Sequence, residues 1–226
     1  SDGTAEKKEF YIISHFFMAY TFLAVAAGTV MLFTDYYSYT EVNGVVVILG
    51  FLWNRLWGVY SDPNYGAVFS AITVIMSLYF YKDAKKPLKV LYIINIVLQI
   101  CYIAFSDSRT GMVSLFCALL VYVYLTALRS KKLEAKKAFA RGVICILLAI
   151  AAAVASFAAI KVVSVSTSAF KKWQYEHIIS SDKDKTEAQK EKDKQKLEIG
   201  RQSNDINGDV SNRRFAIWGS GLEIFK

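Results

Sequence analysis

Histidines, paired cysteines and glycine-rich phosphate loops are scarce or missing in this sequence, and each shortage removes a class of chemistry. There are two histidines, His15 and His177, and three cysteines, none in a C-x-x-C pair, so the usual ligand sets of a zinc site are lacking and no metal is expected. Cys101, Cys117 and Cys145 fall inside apolar runs and read as small buried hydrophobes. GSG at residues 219–221 belongs to no complete G-x-G-x-x-G, which excludes a nucleotide loop. DKD at residues 182–184 mimics a metal-binding D-x-D, but lysines surround it and no apolar strand precedes it, so it reads as solvated charge. No cleavable signal peptide is visible, because the first apolar run is too long and has no small-residue cleavage pattern.

Apolar residues, by contrast, make up 54% of the chain and are bunched into long runs, with the charges concentrated between them. That distribution points to an integral membrane protein. A formal net charge of +8 would suggest nucleic acid in a soluble domain. Here the lysines mostly flank apolar runs, where they orient a chain in the bilayer, so no nucleic-acid partner is expected.

Five spans are expected, over residues 10–33, 65–81, 90–105, 111–128 and 142–160. At about 1.5 Å per residue, most can cross a hydrocarbon core of about 30 Å. The loops at 82–89 and 129–141 are short and lysine-rich, which predicts both on the cytoplasmic side. Alternation then puts residues 106–111 and everything after 160 outside. The run from Val45 is too short to span. Trp53, Trp57 and Tyr60 follow it at i, i+4, i+7, which predicts a re-entrant or interfacial helix, with a sixth span as the alternative. The expected fold is therefore all-α, a polytopic bundle of about five transmembrane helices with a large external loop. Its expected divisions are a transmembrane region over 1–165 and an extracytoplasmic loop over 166–226. In that loop, Phe170, Trp173 and His177 at helical spacing predict a helix lying on the headgroups, followed by a charged, solvated helix. The chain is also expected to be a piece of a longer protein.

Three polar clusters fall on the same predicted external face, at residues 54–67, 106–111 and 211–218, and each contains an arginine. A guanidinium fork matches phosphate oxygens, so converging arginines at a membrane surface suit a phosphate-bearing ligand. The plainer role for each is an anchor reaching to the headgroups. Asp62 and Asp107 are candidate bases or orienting groups whose plainer role is helix capping, and Asn64 is expected to cap the second span.

In order along the chain stand Arg55, Gly58, Pro63, Asn64 and Ala67, then Ser108-Arg109 opening a span, then R-x-x-x-W from Arg214 to Trp218. This ordered set resembles the O-antigen ligase and polysaccharide polymerase superfamily. The resemblance implies a membrane-embedded glycosyltransferase in the bacterial cytoplasmic (inner) membrane, with its active face extracytoplasmic. Such an enzyme passes a glycan from a polyprenyl-pyrophosphate carrier to a hydroxyl of an acceptor glycan or lipid, with no cofactor. By motif match Arg109 and Arg214 would contact the pyrophosphate, with Arg213 beside Arg214, and Arg55 and Asn64 would take part in substrate binding. Related ligases also carry an external histidine beyond the R-x-x-x-W motif, at a position that would follow Lys226. The alternatives are a transporter or flippase, which would need polar groups such as Ser14, His15, Thr21, Asn95 and Gln99 to line a path, and a scaffold presenting the charged tail to a partner.

Overall fold

Residues 3–42, 44–130, 138–174, 176 and 199 are described by the structure, a computed structural model. The uncharged runs form its helices: α1 (Gly3–Phe33), α2 (Pro63–Tyr81), α3 (Lys86–Ser106), α4 (Arg109–Leu128) and α5 (Ala138–Gln174). All five are long and apolar enough to cross a membrane. Proline opens α2 and α3 at their first turns, where its missing N–H is not needed. Alternation makes α1, α3 and α5 end where α2 and α4 begin.

At that end the all-α expectation is corrected. Between α1 and α2 the chain folds into a three-stranded antiparallel sheet, β1 (Tyr37–Val42), β2 (Val45–Leu52) and β3 (Arg55–Gly58). Val42 pairs with Val45 across a two-residue connection, and Leu52 pairs with Arg55 across another. The second turn holds Trp53 (φ 53°) and Asn54 (φ 59°), two left-handed residues, as a hairpin turn of the primed kind requires. Trp53, Trp57 and Tyr60 therefore do not share a helical face: the expected re-entrant helix is a hairpin. β-branched residues at 45–48 favour the strand, and a bulge at Gly50 turns it. A Cβ on Gly50 would lie 2.0 Å from the Tyr36 carbonyl oxygen, so no other residue fits there. The sheet packs on α1 through Gly28, where a Cβ would come 3.3 Å from Gly58 Cα. Leu56, Val25, Leu32, Tyr102 and Ile103 fill the space beneath. Among the described residues no further strand pairs with the outer edge of β1, an arrangement suited to an end of the bundle rather than to an apolar layer.

Polar side chains inside the bundle join helices. Thr21 and Thr73 share a 2.9 Å hydrogen bond between α1 and α2, and Gln99 donates to Asn95 (2.9 Å), which donates to Ser77 on α2 (3.2 Å). His15 bonds Tyr92 on α3 (2.8 Å).

The fifth helix also differs from expectation. It runs unbroken for 37 residues, about 55 Å, well past the apolar run at 142–160, and takes in Phe170 and Trp173. His177 lies outside the described residues, as does the charged segment after it. The overhanging end of α5 is held by Lys171. Its ammonium lies 2.5 Å from Asp35 Oδ1 and 4.1 Å from the centre of the Phe51 ring, so one cation joins α5, the turn after α1, and β2. The Lys171 side chain is 1% exposed and that of Asp35 41%. Removing the lysine leaves a carboxylate that water can reach, whereas removing the carboxylate strands a buried charge, a loss of about 3–5 kcal/mol. Asp35→Asn, which keeps a side chain tolerated at φ 49°, should therefore lower the melting temperature in detergent more than Lys171→Met. The opposite order would show that the pair does not hold the sheet.

Candidate functional site

Two of the three predicted polar clusters meet at the sheet end, where α3 stops and α2 and α4 start. Asp107 makes the reversal between α3 and α4. It takes the left-handed conformation (φ 45°, ψ 41°) that closes α3, and its N–H reaches the Ala104 carbonyl at 3.4 Å. Ser108, extended, then caps α4 by accepting from Gly111 N at 3.0 Å. Asp62 caps α2 by accepting from Asn64 N at 2.6 Å. The expectation that Asn64 is the cap is corrected: it stands inside the first turn of α2.

That position gives Asn64 another job. Its Oδ1 accepts from Ser108 Oγ (2.9 Å) and from the Arg55 guanidinium (3.3 Å). Arg55 Nε also donates to the Ser106 carbonyl at 2.8 Å, one of the carbonyls that the end of α3 leaves without a helical partner. Arg55 and Asn64 thus form a framework linking β3, α2, α3 and α4. Tyr102 adds a bond from its hydroxyl to the Trp57 carbonyl (3.0 Å), bringing α3 against β3. Beside it Tyr60 is buried. Burial, with Tyr20 nearby, pushes its phenol well above the ordinary tyrosine range, so it stays protonated and supplies no base.

Arg109 is placed differently. It is the first residue of α4, exposed, and directly follows the buried Ser108 cap. The N-termini of α2 and α4 lie side by side, joined by the Asn64–Ser108 bond, and neither first turn contains an acidic residue. The N-terminus of α2 is already met by the Asp62 carboxylate, whereas that of α4 is capped by the neutral Ser108, so the start of α4 with the exposed Arg109 is the end suited to an anion. Asp107 is partly exposed next to it. Arg213, Arg214 and Trp218 lie outside the described residues. Ile199, in contrast, is described: its N–H donates to Ser168 on α5 at 3.0 Å and its side chain is buried, which returns the chain to this end 15 residues before Arg214. Sequence reasoning missed Lys171 and Asp35, which nothing in their spacing connects. Ser106 stood within the predicted 106–111 cluster, but the part its backbone carbonyl plays in accepting from Arg55 was not legible there.

Gly111 has a structural role of its own. A Cβ there would fall 2.3 Å from Ala67 Cβ, so the glycine lets α4 cross against α2 and its missing side chain faces that helix rather than a ligand. Gly111→Ala should destabilise the protein by about 1–3 kcal/mol, as overpacking does. Ala67→Gly in the same molecule should restore most of the loss. Failure of the second change to rescue the first, as read by thermal unfolding, would rule out this contact as the cause.

No family model matches the chain, and comparison with curated proteins and with solved structures found no similar one.

Proposed function

We propose that this protein is a multi-pass glycosyltransferase of the bacterial cytoplasmic membrane, which moves a glycan from a polyprenyl-pyrophosphate carrier to an acceptor hydroxyl on the outer side. The observation that carries this reading is the exposed Arg109 at the start of α4, set on the Arg55–Asn64–Ser108 framework beside the N-terminus of α2. In the reaction the bond from the sugar to the pyrophosphate breaks as the acceptor oxygen attacks. Negative charge grows on the departing pyrophosphate, and a guanidinium at the N-terminus of α4 stabilises it most where water is excluded. Arg214 would supply a second fork from the R-x-x-x-W segment, with Arg213 beside it. Asp107, two residues from Arg109 and partly exposed, is the candidate to take the acceptor proton. Surface polysaccharide polymerase and ligase differ only in the acceptor. Lysines at residues 82–89 support placing the opposite end of the bundle in the cytoplasm.

The transporter reading is less well supported. Of the five groups it would need along a path, Asn95, Gln99, Thr21 and His15 make hydrogen bonds between or along helices, and only the buried Ser14 hydroxyl has no partner among the described residues.

The test is glycan transfer per folded molecule with carrier-linked glycan from the host. Each lost charge-assisted contact is worth roughly 1.5–3 kcal/mol, so Arg109→Ala should slow transfer about 10- to 100-fold. Arg109→Lys keeps the charge but loses the fork and should restore only part. Unchanged turnover in both variants would leave Arg109 as a headgroup anchor and end this reading.

A further inference from the structure

α4 and α5 pack side by side over most of α4, but not evenly. Between them Met112, Val113 and Phe116 on one wall and Val154 and Phe157 on the other enclose a groove of about 340 Å³ lined only by apolar atoms. Val113, Val154 and Phe157 are 61%, 55% and 47% exposed, so the groove opens outward, to the side where lipid would lie.

The helical repeat decides what stands above it. On α4, Arg109 lies three, four and seven residues before Met112, Val113 and Phe116, which puts it on the same stripe. On α5, Lys161 lies four residues after Phe157 and seven after Val154, again on the groove's stripe, and its ammonium is 5.9 Å from the centre of the Phe157 ring. The helices run in opposite directions, so both cations crown the same end of the groove, the end nearer the sheet. Each also stands where an uncharged run stops: none of the 19 residues after Arg109 in α4 and none at 142–160 before Lys161 is charged. An apolar slot with a cation on each wall at its polar rim has the charge and shape of a site for an anionic lipid, one chain in the slot and the phosphate at the rim.

We propose that this groove seats the first part of the polyprenyl chain of the carrier lipid, and that Lys161 is a second cation on the phosphate that Arg109 engages. This rests on the reading of Arg109 given above. It adds residues that no motif identifies, because Lys161 is far from the arginine clusters in sequence and meets them only through the antiparallel packing of α4 and α5. It also assigns a direction: the pyrophosphate faces the sheet end and the chain descends between the two helices.

The experiment uses the full chain in lipid nanodiscs and measures binding of a sugar-free polyprenyl pyrophosphate, of inorganic pyrophosphate, and of phosphatidylglycerol as competitor. Lys161→Ala should weaken polyprenyl pyrophosphate binding about 10-fold. Val154→Trp fills the slot from an exposed position. It should weaken binding of the polyprenyl compound by a similar factor and leave inorganic pyrophosphate unaffected. Val113→Trp, on the opposite wall, repeats the test should the first variant fold poorly. If both tryptophan variants bind the polyprenyl compound normally while Arg109→Ala does not, the groove is not the chain's seat and the function proposed for Arg109 stands. If Arg109→Ala also binds normally, both readings fall. Phosphatidylglycerol competing as well as the carrier would overturn the assignment to the carrier and make the groove a general phospholipid site.

Discussion

Arg55 lies between the C-terminal end of α3 and the N-terminal turn of α2, and the sheet end of the molecule depends on the hydrogen bonds it makes to both. A helix terminus leaves backbone groups unsatisfied, and near an apolar layer there is little water to satisfy them. One guanidinium meets the Ser106 carbonyl and the Asn64 side chain together. Asn64 then passes the connection to Ser108, the residue that caps α4. Remove the guanidinium and the α3–α4 reversal loses its direct bond to β3, leaving the Tyr102–Trp57 bond one turn earlier in α3. The same chain of bonds ends at Ser108, the residue before Arg109, so the phosphate contact proposed for Arg109 would depend on rigidity at Arg55.

A second constraint acts at longer range. α5 continues well past its apolar run because Lys171 must reach Asp35 and Phe51. A half-buried ion pair adds little net stability over an apolar equivalent, but here it ties α5 to the turn after α1. It therefore fixes where the overhanging helix meets the sheet. The crown of Arg109 and Lys161 follows from that, since the register of α5 along α4 sets the height of Lys161.

The helices were legible in the sequence because charge marks their ends: the lysines of 82–89 and Arg109 fall within or beside the observed termini of α2, α3 and α4. The sheet was not, because Trp53, Trp57 and Tyr60 satisfy a helical spacing by coincidence, and spacing alone carries no information about a hairpin. The better signal was Asn43-Gly44 between two runs rich in β-branched and aromatic residues, the dipeptide that suits a two-residue hairpin turn. α5 was cut short for a similar reason. Lys161 reads as the end of a span, while the helix that carries it continues to a contact that Lys171 makes with Asp35, 136 positions away. The gathering of the 54–67 and 106–111 clusters was legible from order and topology. That Arg55 and Asn64 would be engaged by the backbone and by each other was not, since it depends on where a carbonyl of α3 points.

The central claim is that the framework positions Arg109 for a phosphate group. It is tested most directly by a double-mutant cycle on polyprenyl pyrophosphate affinity in nanodiscs, using Asn64→Ala, Arg109→Ala and the two together. If Asn64 acts by holding the start of α4, its substitution weakens binding in the wild-type background and has little further effect once Arg109 is gone. The expected coupling is about 1 kcal/mol or more, within the range seen for groups sharing one network. Full additivity of the two losses would contradict the claim, as would an Asn64→Ala protein that binds as the wild type does.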